Sequence, residues 1–195
     1  GGGGARPGVD WVWGSALEEF SVDAGGGTGL SGEPEEVAPL TPVAFQGLVR
    51  PRDRAFPISD QLADKFCAII GSHIRGETVT GSSRIKDLVD IALIASTQQI
   101  SGPALRVAIL AGTAHQSLPL PTTFVVPDEA VWRRGYPRSV ADVPGPAPTF
   151  DEAVSLASAL LNPILDGPVN GIWDPVSAGW ISPAGGSQRG PRTGR

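Results

Sequence analysis

From Ser59 onward the apolar positions recur at helical spacing in four stretches. In "DQLADKFCAII", after Ser59, the residues Leu62, Phe66 and Ile69/Ile70 fall on one stripe. Ser59 is placed to cap this helix, Asp60 sits in its first turn where the dipole favours an acid, and Gly71 marks its expected end. A second helix is predicted over about 83–98, opening with "SRIKDLVDIALIAS", and a third over 103–115, starting at Pro103. Thr149 and Glu152 form a T-x-x-E capping box ahead of "AVSLASALL", which sets the start of a fourth. The proline- and charge-bearing stretch 119–148, and the chain beyond Pro163, read as loop.

Before these helices the period changes. Phe20, Val22 and Ala24 alternate with Ser21 and Asp23, which predicts a short half-buried strand within 17–24. Residues 25–36 read as a loop, and 37–45 as extended chain, because their prolines do not fit a helix interior. "RPRDRAFP" (50–57) closes this region. A lone strand cannot satisfy its own backbone groups, so most of the sheet that receives it is expected upstream. The resulting expectation is an α+β chain: 16–56 as the edge of a sheet-containing core and 57–180 as a domain of four helices. Residues 1–15 give no reliable pattern, and the Gly/Pro/Arg tail 181–195 is expected to be disordered.

Composition alters this picture in three places. No apolar run approaches the roughly 18 residues of a membrane span, and "GGGGARPGVDW" has no basic region followed by an apolar one. A single cysteine, Cys67, excludes an internal disulfide and suits a reducing cytosol. The chain contains no methionine, even at position 1, so a fragment or a misread frame is expected. The net charge of −5 argues against a chain wrapped in nucleic acid, yet residues 50–86 hold seven Lys/Arg against four acids. A local basic face of that kind is compatible with phosphate binding.

The second helix poses the sharpest question: an aliphatic element carries Arg84, Lys86, Asp87 and Asp90 in its first half. At about 100° per residue, Arg84, Asp87 and Asp90 share one face, and Lys86 and Asp90 are spaced i, i+4 beside it. On the first helix, Lys65 borders the Leu62/Phe66/Ile69 stripe and can approach that face if the two helices pack by their stripes. The plain reading is a set of solvated ion pairs worth about 0.2–0.5 kcal/mol each. Against it stands "IALIA" in the next turn, since charges at the edge of a buried helix are costly unless paired or used. Other candidates are weaker. Asp23 precedes a glycine turn, His73 and His115 are isolated, and Cys67 faces the apolar arc. "GGGTG" does not open a helix, and no zinc spacing, Walker motif or nucleophile elbow occurs.

The order of "FSVDAGGGTGLSGEPEEVAPL", "FPISDQLADKFCAI", "SSRIKDLVDIALIA" and "GIWDPVSAGW" resembles the AbiEii/AbiGii toxin nucleotidyltransferases, from about Phe20 to Trp180. The resemblance implies the remnant of a polymerase-β-like nucleotidyltransferase sheet followed by a C-terminal helical bundle. It implies transfer of a nucleotide from an NTP, with Mg²⁺, onto the acceptor end of tRNA, by a cytoplasmic toxin with a cognate antitoxin. Carried over, Lys65 meets the nucleotide's phosphates with Arg84 and Lys86 nearby, Asp87 is the catalytic acid of the final motif with Asp90 supporting it, and Asp23 is a metal carboxylate. Cations for phosphates and carboxylates for Mg²⁺ are what phosphoryl-type transfer requires. The family's first motif, a Gly-Gly or Gly-Ser turn with a following D-x-D, is not found in residues 1–22. Little or no transfer by residues 1–195 alone is therefore expected. The alternative is a non-catalytic relative that binds tRNA or an antitoxin, and a third reading is a purely structural helical domain.

Overall fold

The computed structural model describes residues 11–12, 15–16, 32, 34–37, 53–74 and 82–182. Among the described residues, two short antiparallel strand pairs come first. β1 (Trp11–Val12) pairs with β2 (Ser15–Ala16), and β3 (Glu35–Val37) pairs with β4 (Asp53–Ala55), with Glu36 opposite Arg54. β3 thus occupies the end of a stretch that the sequence pattern assigns to loop. The strand expected within 17–24 lies outside the described residues.

Among the described residues five helices follow: α1 (Ile58–Ile74), α2 (Ser82–Thr97), α3 (Gly102–His115), α4 (Glu129–Ser139) and α5 (Phe150–Asp166). A three-stranded antiparallel sheet joins β5 (Ile100–Ser101), β6 (Ile172–Asp174) and β7 (Gly179–Ile181), in that spatial order. The α+β class expected from the sequence therefore holds. Four of the helices stand where the apolar stripes put them. α1 runs past Gly71 to Ile74, because Gly71 is buried within the helix and does not terminate it. α5 likewise runs through Pro163 to Asp166. Pro163 removes one backbone bond in the last turns, a tolerable loss so near a helix end.

α4 replaces the loop expected over 119–148. Asp128 caps it, its side chain accepting from the Val131 N–H at 3.2 Å, and Glu129 supplies an acid to the first turn. Only Trp132, Tyr136 and Ser139 are buried, so its inward face is narrow. Arg133 ties its outer face to α5, donating to both Asp151 carboxylate oxygens and to Glu129, with its guanidinium 4.7 Å from the Phe150 ring centroid. Tyr136 packs edge-on against Phe150 and donates its hydroxyl to the Pro148 carbonyl.

α2 is central. It packs against α1, α4 and α5, and α1 packs in turn on α3. Leu62, Phe66, Ile69, Leu88, Ile91, Leu105, Ile109, Leu160 and Leu161 are fully enclosed in this core. Cys67 joins them, and burial pushes its thiol up to about 12, which leaves it inert at neutral pH. Gly102 opens α3 where the sheet passes closest: its N–H donates to the Gly171 carbonyl, and a Cβ there would collide with the Val169 carbonyl oxygen. One turn further along α3, Arg106 donates to the Ile164 carbonyl in the last turn of α5, satisfying a group the helix leaves open.

The capping box is formed in both directions. The Glu152 N–H donates to the Thr149 hydroxyl, and the Glu152 carboxylate accepts from the Thr149 N–H at 2.7 Å. Thr149→Ala is expected to cost about 1 kcal/mol. Urea unfolding followed by circular dichroism checks this: the midpoint should fall while the slope stays constant.

Candidate functional site

α1 and α2 are consecutive in the chain and pack against one another. This places the middle of α2 against Lys65. The Lys65 ammonium donates to Asp90 Oδ2 at 2.5 Å and stands 3.8 Å from Asp87 Oδ1. Arg84, one turn earlier on α2, donates to Asp87 Oδ2 at 3.0 Å. Lys65, Arg84, Asp87 and Asp90 thus form one cluster from two helices, at the edge of the aliphatic contact between them. The question raised by the sequence has a spatial answer: the greasy face of α2 meets the core while its charged face meets Lys65.

Exposure is graded across the cluster. The Asp87 side chain retains 16% of its accessible surface, Lys65 23%, Arg84 39% and Asp90 44%. Burial raises the Asp87 carboxyl above the ordinary carboxylate range, even though Arg84 and Lys65 both act to lower it. Asp87 is therefore the carboxylate held under electrostatic tension. Asp90 is the one in easy reach of water.

Lys86 does not enter the cluster. It is exposed, and the i, i+4 pair with Asp90 suggested by spacing is replaced by the Lys65–Asp90 contact. Asp23 lies outside the described residues. Among the described residues no three His, Cys, Asp or Glu side chains converge as a metal centre, and Asp87 and Asp90 are both engaged by cations. The cluster as it stands does not fit a divalent ion. His115 ends α3, away from any ligand set. Three cavities lined by described residues lie elsewhere, one of about 560 Å³ between the starts of α1 and α3 and another of about 560 Å³ between Pro146–Pro148 and α5.

The pairing that sequence reasoning missed is Lys65 with Asp90 as its nearer carboxylate. The spacing on α2 placed both acids on one face, but which of them faces α1 depends on the rotation of one helix against the other. "GIWDPVSAGW" also proves to be a folding device. Asp174 accepts from the Val176 and Ser177 N–H groups and from the Ser177 hydroxyl, bonds that hold its carboxyl below the usual range and close the turn between β6 and β7.

No helix among the described residues is long and apolar enough to cross a membrane. Comparison with curated proteins and with solved structures finds no match. A family model described as nucleotidyl transferase AbiEii toxin, type IV TA system, matches residues 7–156. That span holds Asp23, Lys65, Arg84, Lys86, Asp87 and Asp90, and ends within α5, before the β6–β7 hairpin. With well over half of its length matched, the chain belongs to the AbiEii nucleotidyl transferase toxin family of type IV toxin–antitoxin systems.

Proposed function

We propose that this toxin transfers a nucleoside monophosphate from an NTP to the acceptor end of tRNA, in the cytoplasm, with Mg²⁺, and is countered by an antitoxin encoded alongside it. Residues 16–56 form the edge of the nucleotidyltransferase core in this reading, and 57–180 the helical domain. One observation carries it: a lysine and a largely buried carboxylate from consecutive helices meet within 3.8 Å, with an arginine on the same face. Lys65 supplies a compact positive charge to the triphosphate, Arg84 supplements it, and exposed Lys86 meets phosphate at the rim. Asp87 is the catalytic carboxylate, and Asp90 supports the arrangement. Metal binding falls to Asp23 and not to the cluster, whose carboxylates are committed to cations.

The test is labelling of tRNA from radiolabelled NTPs by the product of the whole gene. Label at the 3′ end that is abolished by a chelator and restored by Mg²⁺ is the expected result. Absence of label with every NTP and tRNA refutes transfer, and retained tRNA binding in that case favours the non-catalytic module. Residues 1–195 alone are expected to label little, because residues 1–22 carry no D-x-D pair.

A further inference from the structure

Lys65 already has an anion. Its ammonium lies 2.5 Å from Asp90 Oδ2, in the range of a charge-assisted hydrogen bond such as it would make to a phosphate oxygen. Arg84 is occupied with Asp87 at 3.0 Å. The two cations and two carboxylates cancel, so the closed cluster offers a polyphosphate no net attraction. One carboxylate has to give way before an anion can bind.

The geometry selects which one. Asp87 is the more buried acid, contacted by both Arg84 and Lys65, and its release would strand a carboxylate in a poorly hydrated site. Asp90 is 44% exposed, and Lys65 is its ion-pair partner. A rotation about its side chain would move it into water at little cost. Asp90 also lies one turn beyond Asp87 on the same helix, so it can leave without shifting Asp87 or the backbone.

We propose that Asp90 is an internal stand-in for phosphate, an autoinhibitory carboxylate that occupies Lys65 until a triphosphate displaces it. This rests on the reading of Lys65 as a phosphate ligand. The alternative is a clasp between α1 and α2 that serves stability alone. The two differ in sign: removing a competitor tightens anion binding, whereas removing a clasp loosens the helices and gains nothing.

Calorimetric titration of the chain with inorganic triphosphate at low salt decides between them. Asp90→Asn is expected to bind about three- to fivefold more tightly than the unaltered chain, the range open to a partly exposed ion pair. Asp90→Glu, which restores the carboxylate, should bind as the parent does. Lys65→Ala should bind more weakly, and adding Asp90→Asn to it should bring no gain. Asp90→Ser serves as a second neutral variant, and thermal unfolding of each protein shows that it is folded. Equal or weaker binding by both neutral variants, or no detectable binding by either, overturns the displacement. A gain that persists without Lys65 overturns it too, since it would reflect general repulsion. If Lys65→Ala binds as tightly as the parent, the phosphate reading of Lys65 fails instead.

Discussion

Truncating Trp173 to alanine is expected to lower the unfolding free energy by about 3–5 kcal/mol, a large part of what a domain of this size possesses. Trp173 is fully enclosed, and it is the middle residue of β6, the centre strand of its sheet. Its indole N–H donates to the Ala95 carbonyl at 2.7 Å, one of the last carbonyls of α2, which have no partner within their own helix. Its ring meets that of Trp180 edge-on at 5.7 Å, and the Trp180 indole donates in turn to the Leu160 carbonyl of α5. Two aromatic rings on one hairpin thus fasten the last turn of α2 and the interior of α5. Loss of the side chain leaves a cavity and an unsatisfied carbonyl together, and both effects have the same sign. Trp173→Phe retains most of the apolar surface, so it should cost only about 1–2 kcal/mol, nearer the value of one buried hydrogen bond with its desolvation. Circular dichroism in urea measures both. A loss below about 1 kcal/mol for the alanine variant would mean that the hairpin is not part of the cooperative core.

That hairpin also marks where sequence reading stopped. The stripes of α1, α2, α3 and α5 are legible because each repeats an apolar residue every three or four positions across several turns. β6 has three residues and β5 two, too few to display an alternation, and the residue paired with Ile100 is Trp173, far along the chain. α4 was hidden for a different reason. Its sequence EAVWRRGYPRS contains Gly135 and Pro137, both helix-averse, and only the Trp132/Tyr136 pair at i, i+4 signals an inward face. Asp128 followed by Glu129 was the available cue for a helix start. Packing overrides propensity at Gly135, where a Cβ would stand 2.6 Å from Ile85 Cδ1, so the glycine lets α4 approach α2.

The candidate site was legible by face and not by partner. Helical periodicity alone put Arg84, Asp87 and Asp90 together, and Arg84 does meet Asp87. It could not rank the acids by depth, because depth depends on how α1 lies across α2. The structure makes that ranking, and from it follow opposite expectations for two carboxylates only three residues apart. Asp90 yields to an incoming anion, whereas Asp87 stays.

Asp87→Asn is expected to separate stability from function. On the proposed reading of Asp87 as the catalytic carboxylate, transfer by the whole gene product should fall at least about a hundredfold, the lower bound for losing such a group. In the chain itself, unfolding free energy at neutral pH should rise, on the order of 1 kcal/mol. The sign follows from burial, which raises the Asp87 carboxyl above its unfolded value despite Arg84 and Lys65. A carboxyl raised in the folded state binds its proton more tightly there, so stability is greatest below the ordinary carboxylate range. It is lost as pH rises through the raised value, and the deficit is complete at neutrality. The amide has no charge to desolvate and keeps the shape, while Lys65 retains Asp90. The gain should therefore vanish at about pH 3, where the native carboxyl is itself protonated. Urea midpoints from pH 3 to 7 give the comparison. A purely structural ion-pair cluster predicts the reverse at neutral pH, a loss of stability as Arg84 gives up its partner, so a destabilised Asp87→Asn chain with transfer intact would return these four charges to the role of a clasp.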